Sequence, residues 1–396
     1  METEVGIVMP VYYQKEEHVK AALHTILGQT HTDFMLCIVI DGAPEMLAFI
    51  EPLVRHDSRV HIISYEHNQG VAHALNTGFS YIYAIPSIRY VTWVSTDNLY
   101  YPHFLATLYH DITYAPPNVG IAYTCFHQIF EDGTLAHSQE FIEDMRKWQS
   151  RPKEDLLQGC IIGPAFIHRI EHCKDMDPYR FTLIQDYDYW LRMTDHCDIQ
   201  FNPEVTMAYR LNSPFSLSTN IRTNPRYHRT CWNEVHQAHW ETRQRRGIVP
   251  DLTIAYVVKN TTNDLFHNLS RLIDQYYTNY DLFLVNLSGV DIQQIVVDEY
   301  NDRRIIVRDA SKTSRKQMIQ DIAATCRTPY FMEASGTKKF LNEAILGQRM
   351  KEIKESTQVS PIYNRGSFAI YRPMGGIGLR TYTVYPIAEA KWRLGI

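Results

Sequence analysis

The sequence is short of the features that define several protein classes. No apolar run approaches the roughly 20 residues that span a bilayer. Met1 leads almost at once into the apolar stretch Val5–Met9, without the basic region and long apolar core of a secretion signal. The expected location is the cytoplasm, at most in peripheral contact with a membrane. The seven cysteines are odd in number and form no CxxC pair. That argues against a disulfide framework or a zinc knuckle and for reduced thiols. Positive charge is not in excess: 39 Lys and Arg stand against 44 Asp and Glu, a net −5, so nucleic acid is not an expected partner. The strand-to-helix turns carry no GxGxxG, which excludes a dinucleotide oxidoreductase. The 18 histidines show no metal-ligand spacing, and zinc is not expected.

What is present is an ordinary globular composition, 45% apolar and 21% charged over 396 residues, enough for two or three domains with real cores. The first hundred residues alternate strand and helix signals. Val5–Met9 reads as a strand ending at Pro10. A helix over Glu16–Leu27 has Val19, Ala22, Leu23, Ile26 and Leu27 at helical spacing. The β-rich run Phe34–Ile40 stops at Asp41-Gly42, and a helix covers roughly Pro44–Arg55. Val60–Ser64 ends at Glu66-His-Asn-Gln-Gly70, a helix runs over Val71–Ile82, and Tyr90–Val94 ends in Ser95-Thr-Asp97-Asn98. This alternation predicts a parallel sheet with helices on its faces, whose ligands bind outside the carboxyl ends of the strands. Pro10–Tyr12, Asp41, Asn68–Gly70 and Asp97 all fall at such ends, so four polar stretches converge on one rim.

Further on, Val119–Cys125 and Phe126–Phe130 read as two strands near a turn at Glu131–Gly133, Phe181–Met193 as a loop entering a helix, and Tyr227–Arg246 as a long polar helix. Charge, then Gly247, then Pro250 marks a boundary. The expected division is a domain over 1–245, a linker over 246–251 and a second domain with a tail over 252–396. The second half repeats parts of the first in order: Leu23–Phe34 resembles Leu269–Tyr280, Tyr90–Ser95 resembles Tyr330–Ser335, and Gly163–Arg169 resembles Gly366–Arg372. Residues 251–375 are therefore read as a shortened copy lacking the polar rim.

The rim suits a nucleoside diphosphate. Tyr12 beside Pro10 offers a ring for stacking on a base. Asp41 accepts hydrogen bonds, and Asn68 with Gly70 forms a loop where backbone approaches a ligand. Asp97 is a hard oxygen donor for a divalent cation. Residues 4–245 resemble a family 2 glycosyltransferase with a GT-A fold. The resemblance rests on Val8–Tyr12, Gln29-Thr30 with Ile38–Gly42, Asn68–Gly78, Tyr90 through Ser95–Asn98 to Pro102, and Gln185–Arg192. It implies a Rossmann-like nucleotide-diphospho-sugar transferase sheet flanked by helices, followed by a smaller GT-A-like α/β domain. It further implies inverting transfer of a sugar from a nucleoside-diphosphate donor, UDP- or dTDP-linked, to a hydroxyl of a glycan or glycoconjugate in surface polysaccharide synthesis. The nucleotide set would be Pro10, Tyr12, Asp41, Asn68, Gly70, Thr96 and Asp97, with Mg2+ or Mn2+ on Asp97. Asp186 would be the general base, with Asp188 as its fallback, and Gly163, Trp190 and Asp188 would lie on the sugar and acceptor side. The sequence departs from the family pattern at Ser95, where a further Asp is usual, and at Asn98, Leu75, Gln185 and Asn212. The other expected reading is a sugar-nucleotide-binding scaffold that recruits a partner. Membrane-surface or homo-oligomer contacts are the remaining expected partners.

Overall fold

The computed structural model describes residues 3–213, 215–259, 263–335, 342–359 and 383–396. They fall into two compact units, Met1–Val235 and His236–Ile396.

The first unit runs β1 (Val5–Val11), α1 (Glu16–Leu27), β2 (Phe34–Asp41), α2 (Pro44–Val54), β3 (Val60–Tyr65), α3 (Val71–Tyr83), β4 (Tyr90–Trp93), β5 (Leu99–Tyr100), α4 (Phe104–Tyr114), β6 (Val119–Ile129), α5 (Gln139–Gln149), β7 (Phe166–Arg169), α6 (Gln185–Met193), β8 (Asp198–Arg210), α7 (Leu217–Thr223) and the start of α8 (Pro225–Arg245). Its eight strands are ordered β3-β2-β1-β4-β7-β6-β8-β5. The first four are parallel, and β7 pairs antiparallel with both β4 and β6. The chain leaves β1 toward β2 and β3, then returns to β1's other side as β4. That reversal opens a crevice at the carboxyl ends of β1 and β4.

The strands alternate with helices because apolar periodicity switches as predicted. In α1 the residues Val19, Ala22, Leu23 and Ile26 are buried, a stripe at i, i+3, i+4 and i+7. Burying the Val19, Leu23 and Ile26 side chains stabilises the fold by about 1.5–3 kcal/mol each. Helix α3 lies close on the sheet because Gly78 has no side chain: a Cβ there would come within 2.5 Å of Val8 and 3.1 Å of Val39. This contact fixes the start of α3, and the loop before it, at the rim.

Two expectations are corrected here. Val119–Ile129 is one continuous strand, not two, because no Gly or Pro falls between Ile121 and Ile129; the register against β8 shifts at Thr124–Phe126, where the break was expected. Strand β8, unforeseen, runs through Pro203, which sequence reasoning takes as a strand breaker.

The second unit contains β9 (Leu252–Val258), α9 (Asn263–Ile273), β10 (Tyr280–Asn286), α10 (Gln293–Tyr300), β11 (Ile305–Asp309), α11 (Arg315–Thr325), β12 (Tyr330–Ser335), α12 (Ile345–Val359), β13 (Val384–Pro386) and α13 (Ile387–Leu394). Its sheet order, β11-β10-β9-β12-β13, with β12/β13 antiparallel and the other pairs parallel, is the order of β3-β2-β1-β4-β7 in the first unit. Among the described residues, β10 ends in Asn286 where the corresponding β2 ends in Asp41. The expected match at Gly366–Arg372 lies outside the described residues. The division between units falls inside α8 rather than after it. The distal half of that helix is tied to the second unit: His236 and His239 are buried there, within 3.3 Å of Asp274 and 2.9 Å of Thr278.

Candidate active site

The carboxyl ends of β1, β2 and β4 open into a cavity of about 630 Å³ within the first unit. Its lining includes Pro10, Tyr12, Asp41, Asn68, Gly70, Ser95, Thr96, Asp97 and Asp186. The rim residues gathered from four separate stretches of sequence therefore share one wall.

Asp41 ends β2 and is almost fully buried. Its carboxylate accepts the Gln69 N–H at 2.7 Å, the Gly70 N–H at 3.0 Å and the Asn68 side-chain amide at 2.9 Å. Charge-assisted bonds of this kind are worth more than neutral ones, so Asp41 is the post on which the loop before α3 is hung. Gly42 makes the arrangement possible. Its φ is +68°, and a Cβ there would lie 2.5 Å from the His67 carbonyl carbon and closer still to the Asn68 nitrogen. Beside this post, Tyr12 is half exposed, its ring edge-on to Tyr13 at 4.5 Å, and it lines the cavity.

The turn after β4 is clamped from beneath. Ser95 Oγ donates to Asp97 Oδ1 at 2.5 Å, and the Ser95 N–H donates to Tyr100 Oη at 2.7 Å. The buried Arg210 at the end of β8 donates through Nε to the Asp97 carbonyl at 2.9 Å, and its own N–H donates to Asn98 Oδ1 at 3.0 Å. Asp97 is thereby held with its carboxylate at the cavity and a guanidinium behind its backbone. Burial lowers the pKa of His18, nearby, and the Arg210 charge acts in the same direction, opposed by Asp97.

Asp186 is the second residue of α6. Every other residue of that helix is buried, and Asp186 alone is half open, on the cavity side. Desolvation raises its pKa, opposed by the hydrogen bond it accepts from the Tyr187 N–H at 2.8 Å.

Three expected site residues stand elsewhere. Trp190 is wholly buried, edge-on to Phe166 at 4.5 Å, and does not line the cavity; it is a core residue rather than an acceptor contact. Asp188 is buried behind the wall, where it accepts from Arg180 Nη2 at 2.7 Å and Arg192 Nε at 2.9 Å; it is a structural ion-pair centre and no substitute base. Two residues along a helix is about 200° of rotation, so Asp186 and Asp188 face opposite ways. Gly163 has φ +74° and its missing Cβ leaves room for Phe126, whose ring such a Cβ would meet at 2.9 Å; the lining residue is its neighbour Pro164.

Sequence reasoning missed the facing wall. Tyr209, Phe215, Leu217, Ile221 and Tyr227 supply an apolar side, with Ser216, Ser218 and Asn220 between them, while Trp93 and Gln185 line the interior. The available signal was the run of apolar residues at 209, 215, 217 and 221 spaced through a polar segment. The electrostatic balance is one-sided: three lining residues are Asp, and none is Lys, Arg or His. Among the described residues no three His, Cys, Asp or Glu side chains form a metal cluster.

The crevice lies at a strand-order reversal, on a sheet that turns from parallel to mixed, and is edged by carboxylates. Residues 6–169 match the family described as Glycosyl transferase family 2. An uncharacterized glycosyltransferase of Rickettsia typhi is 23% identical over 235 residues, 56% of this chain and 69% of the relative. A UDP-Glc:alpha-D-GlcNAc-diphosphoundecaprenol beta-1,3-glucosyltransferase of Escherichia coli is 28% identical over 187 residues, 47% of this chain and 67% of the relative. Among solved structures, a mannosyltransferase from Pyrobaculum calidifontis in complex with GDP-Man and Mn2+ aligns with TM-score 0.47 and 14% identity over 61% of this chain and 64% of that one. No helix among the described residues is long and apolar enough to cross a membrane.

Proposed function

We propose that the chain transfers a sugar from a nucleoside-diphosphate donor, UDP- or dTDP-linked, to a hydroxyl of a glycan or glycoconjugate acceptor, with inversion at the anomeric carbon. The observation that carries the reading is that Asp97 and Asp186, about ninety residues apart in the sequence, line one cavity.

Inverting transfer is a single in-line displacement. The acceptor hydroxyl loses its proton as it attacks, and a carboxylate on the face away from the leaving group takes it. Asp186 fits that role: desolvation lifts its pKa above the ordinary carboxylate value, which makes it a stronger base than a solvated Asp. Tyr12 stacks the base, and the loop that Asp41 holds presents Asn68 and the Gly70 backbone to the nucleotide.

The donor set fits a divalent cation shared with substrate. Mg2+ and Mn2+ are commonly held by one or two carboxylates together with phosphate oxygens and water. Asp97 supplies the carboxylate and Ser95 a hydroxyl beside it. A cavity with three carboxylates and no cationic lining side chain repels a diphosphate, and a bound cation offsets that repulsion and stabilises the leaving group's charge. The test is a binding and turnover panel. Nucleoside diphosphates are titrated with and without Mn2+, and hydrolysis of UDP- and dTDP-sugars is followed. Binding enhanced by Mn2+ together with donor hydrolysis is expected; a chain that binds no nucleotide under any condition is no such enzyme.

A further inference from the structure

We infer that Trp93 and Gln185 form the subsite that reads a hydroxyl of the transferred sugar, an inference that rests on the donor-transfer reading above. Buried polar atoms in folded proteins nearly always have a hydrogen-bond partner, and the exceptions ask for an explanation. Among the described residues, Trp93 Nε1 and Gln185 Oε1 are buried side-chain atoms without one, and both residues line the cavity. The remaining orphaned atoms belong to residues off its lining. Gln185 is more than nine-tenths buried.

The two atoms are chemically complementary. An indole N–H only donates, and an amide oxygen only accepts. A hydroxyl within reach of both would satisfy them at once, its oxygen taking the indole hydrogen and its hydrogen going to the amide. An ester, ring or phosphate oxygen satisfies only the first. Their position selects the sugar rather than the nucleotide. Trp93 ends β4, two residues before Ser95 and the Asp97 corner, and Gln185 directly precedes Asp186. The nucleotide end lies on the other side of the strand-order reversal, at β1 and β2, where Tyr12 and Asp41 stand. The indole is fixed by edge-on packing with Phe166, 6.3 Å between ring centroids.

The test uses the full chain with Mn2+ and, as probes, UDP-glucose, UDP-GlcNAc, dTDP-glucose and GDP-mannose, read by calorimetric binding and by donor hydrolysis with water as acceptor. Trp93→Phe removes the indole N–H and Gln185→Met removes the side-chain amide, each leaving an apolar side chain in its place. Each is expected to lower kcat/KM for the preferred donor about tenfold, the usual size of one lost hydrogen bond, while affinity for the free nucleoside diphosphate stays within twofold. The deoxy analogue that lacks this hydroxyl should cost the wild type more than it costs Trp93→Phe or Gln185→Met, because each variant has already lost one of the two bonds to it. Unchanged kcat/KM in both variants, or a deoxy penalty identical in wild type and variant for every position, overturns the subsite. So does a wild type that binds nucleoside diphosphate yet neither distinguishes nor hydrolyses any attached sugar. A wild type that binds no nucleotide at all refutes the transfer reading beneath it.

Discussion

The loop that presents Asn68 and Gly70 depends on two glycines for different reasons, and the difference is measurable. Gly42 and Gly70 both have positive φ, +68° and +90°, so alanine at either position carries backbone strain of about 1–3 kcal/mol. At Gly70 an added Cβ meets nothing within 4 Å, and strain is the whole cost. At Gly42 the same Cβ runs into the backbone of His67 and Asn68, which cannot rotate away as a side chain would. Overpacking of this sort adds about 1–3 kcal/mol. The loop's only escape is to move off Asp41, and the three hydrogen bonds into that carboxylate lengthen as it does. Gly42→Ala is therefore expected to exceed Gly70→Ala by about 1–3 kcal/mol. For a unit of this size that is a further fall in melting temperature of about 2–4 °C per kcal/mol. Urea and thermal denaturation followed by circular dichroism give the comparison, and nucleoside-diphosphate titration should show weakened binding in Gly42→Ala. Equal costs for the two variants would refute the claim that Gly42 is required by close backbone approach.

Asp186→Asn is expected to lower donor turnover by about 10²- to 10⁴-fold, leave nucleoside-diphosphate binding in place and raise stability at neutral pH. The sign follows from its raised folded-state pKa: the folded protein holds that proton more tightly than the unfolded chain, so stability falls as pH rises from the unfolded toward the folded pKa, and Asn removes the cost of the buried charge. Melting curves near pH 4 and pH 7 check this, the gain being larger at pH 7. Asp97→Ala should abolish the effect of Mn2+ on nucleotide affinity; a variant whose binding is still enhanced by Mn2+ places the cation elsewhere. Asp188→Ala leaves Arg180 and Arg192 facing a void in a buried site, at about 3–5 kcal/mol, and its melting temperature should fall accordingly.

The strands that build the rim were legible because each ends where an apolar run meets a polar residue, and an unbroken alternation of strand and helix signals runs from β1 to β4. The facing wall was not. It is assembled from β8 and α7, and β8 pairs with β6 across about eighty residues of chain, Val119 opposite Asp198. Neither partner announces the other, and Pro203 in the strand argues locally against it. The aromatic and aliphatic residues at 209–227 acquire a common face only once that pairing is made. The strand order of the second unit was readable for a related reason: its parallel core repeats the local patterns of the first, Tyr90–Ser95 against Tyr330–Ser335, and both segments are the fourth strands of their sheets.

The harder failure is within α6, where sequence order was right and helix phase was not. Amphipathic periodicity reveals a helix face only when one side is wet. In α6 Gln185 and Tyr187 through Met193 are all buried, so Asp188 and Trp190 carry no visible mark of pointing inward. Polar residues there are tolerated because the helix brings its own partners: Arg192 one turn after Asp188, and Arg180 from the preceding loop. That same inward ion pair anchors the helix so that its one unburied position, Asp186, is aimed at the cavity. A base must be held within hydrogen-bond reach of the proton it takes. The buried pair on the opposite face is what fixes the helix rotation on which that aim depends.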